Sequence, residues 1–210
     1  MQRNITSADA RQTGALFAGG NIRRLLAGER GRLRDHLLRL SPADRQFRFL
    51  GCVGDDAIKA YTGTLLSPGV TVLGCFVRGV LRAVGELHRQ GSGRVAEVAI
   101  TVEHPFQGRG IGTELLWHLV DIARNRGIRT LHCFCLIDNT RAQKIARKLG
   151  GAINTADGAV EAEIVHPWPS CLSLLSEANA NGQAVLQAWW LRPLEEAPVE
   201  PGPSAVARNF

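Results

Sequence analysis

The chain has 210 residues, enough for one domain with a substantial core plus tails. Its 25 Lys and Arg against 19 Asp and Glu leave a formal charge of +6; this diffuse excess suits a small anionic partner better than nucleic acid, because no basic cluster is interleaved with aromatics and only one Tyr occurs. No apolar signal region follows Met1 and no apolar run reaches about 18 residues, so a soluble, cytoplasmic protein is expected, and five cysteines without paired zinc spacing fit a reduced compartment and no metal site.

The first 20 or so residues are rich in Ala, Gly, Thr and Ser without periodicity and read as a disordered segment, with order beginning near Asn21. A helix is expected over Gly28 to Leu40, where Leu33, Leu37, Leu38 and Leu40 form an apolar stripe; Ser41-Pro42 ends it or opens a second helical turn. Asp55 to Tyr61 reads as another short helix. Val70 to Val77 and Val80 to Arg89 are strands joined at Arg78-Gly79, and Gly91-Ser92-Gly93 turns the chain into a third strand, Val95 to Val102. Glu114 to Arg126 follows as a helix with Leu115, Leu116, Leu119, Val120 and Ala123 on one face and Gly127 at a left-handed C-cap position. Ile128 to Ile137 supplies the next strand, on which Cys133 and Cys135 share a face as buried thiols or as a redox or metal pair. Asn139 caps a helix that turns Ala142, Ile145, Ala146 and Leu149 inward and Arg141, Lys144, Arg147 and Lys148 outward, either as a solvated face or toward an anion, before Gly150-Gly151 stops it. Ala152 to Asn154 and Val160 to Val165 form a final hairpin around Ala156-Asp157-Gly158. Beyond Pro167, Ser170 to Trp190 has helical spacing, with Trp189-Trp190 covering the domain's own surface or offering a partner or homodimer contact, and 193–210 reads as a flexible tail.

Chemistry concentrates at Gln107-Gly108-Arg109-Gly110-Ile111-Gly112, between the third strand and the helix after it. The first N–H groups of a helix lack intrahelical partners, and glycines let a phosphate approach them. No Gly-Lys-Ser/Thr follows for a Walker loop, and no acidic residue stands at ribose distance for a dinucleotide fold. With Ala96 to Val102 before the loop, Ala123-Arg124-Asn125-Arg126-Gly127 after the helix, and Asp138-Asn139-Thr140-Arg141-Ala142 through Lys148-Leu149-Gly150, the segment from about 70 to 165 resembles the GNAT acetyltransferase superfamily.

That resemblance implies an α/β (α+β) acyl-CoA N-acyltransferase fold, a central mixed, mostly antiparallel sheet flanked by helices; the domain is read over 21–166, followed by a less family-like helical extension over 167–192. It implies that Gln107, Gly108, Arg109, Gly110, Ile111, Gly112 and Thr113 hold the pyrophosphate of acetyl-CoA. It also implies that Ile100, Thr101 and Val102 pair with the pantetheine arm and offer N–H groups to the thioester oxygen, and that Asn139 bonds the arm. Acyl transfer to an amine also favours a base: a lysine-like amine of pKa near 10.4 is neutral in about one molecule per thousand at pH 7.4, a deficit of roughly 4 kcal/mol. Glu97, the carboxylate in an otherwise apolar strand, is the first candidate, with a structural partnership to one of the many Arg residues as its alternative; His88 and Glu86 come second, and His104 reads as a loop residue. Many family members place a Tyr seven residues after the Asn to protonate the leaving thiolate, whereas Ala146 stands here. Leu40-Ser41-Pro42 with Arg48-Phe49 resembles a segment of bacterial protein-lysine acetyltransferases, so a protein lysine is the first expected acceptor and a small amine the second; the acidic residues are too scattered along the chain to show an acidic acceptor pocket. A non-catalytic acyl-CoA sensor or scaffold is the alternative function.

Overall fold

A computed structural model describes residues 20–91, 93–156 and 159–165. The expectations for residues 1–19 and for everything from 166 onward, including the helical extension and Trp189-Trp190, lie outside them. Seven strands, β1 (Gly20–Arg24), β2 (Val70–Val77), β3 (Val80–Gln90), β4 (Val95–Val102), β5 (Thr130–Leu136), β6 (Ala152–Ala156) and β7 (Ala159–Val165), form one sheet in the order β1-β2-β3-β4-β5-β7-β6. Every neighbouring pair is antiparallel except β4 with β5.

Helices α1 (Arg30–Leu38), α2 (Pro42–Phe49) and α3 (Asp55–Leu65) precede the β2–β3 hairpin; α4 (Ile111–Asn125) and α5 (Thr140–Lys148) lie in the second half. Ser41 decides the α1–α2 junction in favour of a new helix: its hydroxyl accepts from the Asp44 N–H at 3.1 Å, and Pro42 occupies a first-turn position where its missing N–H costs nothing. Arg78 and Gly79 turn the β2–β3 hairpin with φ of 50° and 78°, the double left-handed geometry that matches strand twist. The helix expected from Glu114 begins three residues earlier, at Ile111, so it springs directly from the glycine loop.

Two apolar clusters cover the two faces of the sheet. Leu115, Leu116, Leu119 and Ala123 of α4 bury against Leu87, Ala96, Val98 and Leu131, with Ile145 and Leu149 of α5 alongside. On the opposite face Leu33 and Leu37 of α1 and Ile58 and Leu65 of α3 pack on Val72, Phe76, Leu81 and Val84.

β1 is a strand that hydrophobic patterning does not reveal. Its one apolar side chain, Ile22, packs on one face of the sheet, and its buried residue on the other is Arg23, 1% exposed, whose guanidinium donates to both carboxylate oxygens of Glu29 at 2.6 and 2.7 Å and stacks 4.1 Å from the Phe76 ring centre. A charge therefore fills a core position because its donors are satisfied and its flat face rests on an aromatic ring. Replacing Leu119, 0% exposed, with Ala should cost about 3 kcal/mol through lost burial and the cavity left behind, read as a lower denaturant midpoint at unchanged slope.

Candidate active site

β4 and β5 are paired over only three residues, Val95, Ala96 and Glu97 against Thr130, Leu131 and His132. Beyond that point Val98 to Val102 keeps β3 on one side and, among the described residues, has no strand on the other, so a wedge opens between two parallel strands with Glu97 and His132 at its apex. Beneath the wedge, β4, α4 and α5 meet at Gly112: a side-chain carbon there would lie 3.2 Å from Ile145 Cδ1, 3.7 Å from Val102 and 3.8 Å from Ile100. The absent side chain lets the start of α4 settle between the two elements that border the wedge.

The glycine loop lies at the wide end. Gly108 and Gly110 adopt φ of 74° and 83°, left-handed values that would strain other residues, and Gly110 is the N-cap of α4. No side chain caps this helix, so the N–H groups of Ile111, Gly112 and Thr113 are the donors an anion would meet, in the field of a 15-residue helix. Arg109 is exposed beside them, its guanidinium 5.5 Å from the Phe106 ring centre. Gln107 acts as a strut: its amide donates to the Val102 carbonyl at 2.9 Å and to Asp44 of α2 at 2.8 Å, while its own oxygen accepts from Arg141 of α5. Asn139 accepts from the Ala142 N–H at 3.1 Å, the helix cap its position suggested, and Arg141, Lys144, Arg147 and Lys148 are exposed as expected.

On β4 the side chains of Ala96, Val98, Ile100 and Val102 turn toward α4, so Glu97, Ala99 and Thr101 turn to the face carrying α1 to α3. Glu97 is half-buried, and its nearest hydrogen-bond donor is Gln90 at 3.4 Å. Strand register flanks it with His88 on β3 and His132 on β5. His132 Nδ1 meets a Glu161 oxygen at 2.6 Å, and its ring stacks on Phe134. Because Glu161 and Glu163 of β7 oppose Phe134 and His132 in register, the fold gathers Glu86, Glu97, Glu161 and Glu163 onto one face, although they are scattered along the chain. His104 lies exposed in a short 3-10 turn.

Glu86, weighed as a second base, is 1% exposed and already engaged: one oxygen accepts from Arg48 and Tyr61, each at 2.5 Å, and from His88 at 3.0 Å. Burial pushes its carboxyl up, but the Arg48 charge and the hydrogen bonds from His88 and Tyr61 outweigh it and leave Glu86 below the usual carboxylate range. Burial and the neighbouring carboxylate push the Tyr61 phenol upward, so it stays protonated and donates. The other Glu86 oxygen, Oε1, is buried without a hydrogen-bond partner among the described residues. Of this cluster, sequence singled out Glu86, His88 and Arg48; the Tyr61 partnership links residues that no spacing connects. Cys133 and Cys135 are free thiols, and burial first, then Cys135 and Glu97, push the Cys133 thiol up to about 12, leaving it inert.

Glu103, the residue after β4, ties this face together. It accepts from Arg39 at 2.9 Å, from Arg82 at 2.7 Å and from His36 at 3.1 Å, while the other nitrogen of His36 meets the Thr101 hydroxyl at 2.8 Å. Burial lowers the His36 pKa against the pull of Glu103, which keeps the ring neutral, donating through Nδ1 and accepting through Nε2. Burial raises Glu103, yet the hydrogen bonds from His36, Arg82 and Arg39 bring it down to about 2.

The model of the acetyltransferase (GNAT) family matches residues 37–151, a span that holds both the wedge and the glycine loop. The chain belongs to the GNAT acetyltransferase family. An acetyltransferase of Pseudomonas aeruginosa is 31% identical over 153 residues, covering 69% of this chain and 81% of its own. Among solved structures, the GNAT domain of Streptomyces lividans PAT superposes with a TM-score of 0.63 at 23% identity, over 70% of this chain and 90% of that one. A GNAT-fold acetyltransferase from Salmonella typhimurium, solved with acetyl-CoA, superposes with a TM-score of 0.55 at 17% identity, over 73% and 99%. Membership makes the chain an acyltransferase on the expected mixed, mostly antiparallel sheet, and among the described residues no helix is long and apolar enough to cross a membrane.

Glu103 gives the site a pH dependence of stability. Its folded pKa lies below the ordinary 4.5, so its stabilisation is complete above about pH 4.5 and is lost as pH falls toward about 2. Glu103→Gln should therefore cost about 2 kcal/mol at pH 7, where Arg39 and Arg82 lose their carboxylate, and progressively less below pH 4.5; denaturant midpoints at pH 7 and pH 3 measure the difference.

Proposed function

We infer that this protein transfers an acetyl group from acetyl-CoA directly to a primary amine, with no metal taking part. The wedge between β4 and β5, with Glu97 at its apex and the glycine loop at its mouth, carries the reading. Backbone N–H groups of Gly108, Arg109, Gly110, Ile111, Gly112 and Thr113 bind the pyrophosphate, with Gln107 holding the loop to β4. The pantetheine arm adds as a strand beside Ile100, Thr101 and Val102, where one edge of β4 is open, and Asn139 bonds the arm from the other wall. The amine enters from the face of α1 to α3, and Glu97 removes its proton, directly or through water, as nitrogen attacks the thioester carbon.

A cationic acceptor suits the carboxylates of Glu97, Glu161 and Glu163 on that face. A protein lysine is the first assignment, because Leu40-Ser41-Pro42 and Arg48-Phe49 build α2, which packs against β4 and β5 at the wedge, and small amines are the second. The cytoplasm, where acetyl-CoA is made and used, is the assigned compartment.

The donor site is tested by thermal unfolding with and without acetyl-CoA. At about 100 times its dissociation constant the ligand should add about 2.7 kcal/mol, a rise of several degrees, and Gly110→Val, which forces a branched side chain to φ of 83°, should abolish the rise. No rise for the folded native chain at millimolar ligand would defeat the reading. Glu97→Gln should keep the acetyl-CoA shift and lower amine-dependent thiol release by about 100-fold or more; unchanged turnover would remove Glu97 from the mechanism. A second reading, an acyl-CoA sensor without turnover, draws on Ala146 in place of a proton-donating Tyr and predicts the thermal shift without thiol release for any lysine peptide, polyamine or amino acid.

A further inference from the structure

The proposed transfer leaves one chemical requirement unmet. When the C–S bond breaks, the sulfur leaves with the bonding electron pair and needs a proton. The α5 position that would offer a phenol carries Ala146, 1% exposed against the core. The titratable groups facing the wedge from the packed elements are Glu97 of β4, His88 and the engaged Glu86 of β3, His132 of β5, and Glu161 and Glu163 of β7, with Arg48 of α2 and the Tyr61 phenol of α3 both bound to Glu86.

Of these, His132 alone combines three features. It is on the wall opposite β4, level with Glu97 in the last pair before the strands part, where cross-strand neighbours stand about 4.8 Å apart. Its Nδ1 lies 2.6 Å from a Glu161 oxygen, a contact that holds the ring in place and turns Nε2 away from Glu161. Its ring lies nearly parallel to Phe134, 12° between planes, which restrains the second torsion. The arrangement is the carboxylate-oriented histidine of proton-transfer sites, with Nε2 left to exchange the proton. His88, by contrast, commits its Nε2 to Glu86.

We propose that His132, oriented by Glu161, donates the proton that the departing coenzyme A thiolate takes up. This rests on the acetyl-transfer reading above. The amine nitrogen attacks the carbonyl carbon, its π electrons move to oxygen, and Glu97 takes the amine proton. The carbonyl re-forms, the C–S bond breaks, and sulfur receives the Nε2 proton. Glu97 then returns its proton to the neighbouring His132. Amide and free thiol leave, and both side chains regain their starting states.

The test is His132→Ala in the full chain, with acetyl-CoA and a lysine-bearing peptide, following free thiol. kcat should fall about 100-fold while the acetyl-CoA thermal shift and its KM are retained, and added imidazole should restore turnover. At fixed total imidazole the restored rate should grow as pH is lowered and imidazolium accumulates. Glu161→Gln should lower kcat less and resist imidazole, because the ring is still present. Turnover unchanged in His132→Ala overturns the proposal, as does a loss that imidazole fails to restore in a variant that still binds acetyl-CoA, which marks a structural role. A restored rate that follows neutral imidazole makes His132 a base and overturns it too. If the native chain itself releases no thiol with any amine, the acetyl-transfer reading falls first; activity in the native chain with His132→Ala unaffected sinks this inference alone.

Discussion

The parting of β4 and β5 after three paired residues is the constraint on which the rest of the site depends. A continuous sheet would satisfy the backbone of Val98 to Val102 on both sides and leave no room for a ligand between strands. The two walls are held apart by separate anchors. α4 packs under β3 and β4, α5 under β5, β6 and β7, and the two helices touch where Gly112 admits Ile145. The open edge is thus accompanied by separate helix packing below each wall.

The two ends of the wedge differ in charge. The wide end presents helix N–H groups with Arg109 and Arg141, and the face carrying α1 to α3 presents Glu97, Glu161 and Glu163. Two networks pair buried charge with opposite charge on this face. Glu86 with Arg48, Tyr61 and His88, and Glu103 with His36, Arg39 and Arg82, fasten α1 and α2 to the sheet, so the acceptor wall is positioned by hydrogen bonds as well as by packing. Breaking either network would leave buried charge uncompensated, which is the costly case for an ion pair away from water.

Much of this was legible along the chain. Periodicity placed β2, β3, β4 and α4 to within a few residues, because each buries one face and its apolar residues recur at the period of its own geometry. The glycine loop and the Asn139 cap were readable because left-handed backbone and helix ends demand particular residues locally. β1 was not, since its buried residue is an arginine and periodicity counts arginine as polar. The acidic acceptor face was not either: Glu97 is separated from Glu161 and Glu163 by more than sixty residues, and the chain order of β6 and β7 gives no hint that β7 sits beside β5.

By itself, then, the sequence determined the local elements, the glycine turn and the single carboxylate of an apolar strand, all of which follow from interactions among residues close in the chain. Tertiary structure alone decided where β4 and β5 separate, that His88 and His132 flank Glu97, and that His132 is held by Glu161. Those facts depend on strand register across long loops, and register is fixed by the packing of whole elements, which no local pattern encodes.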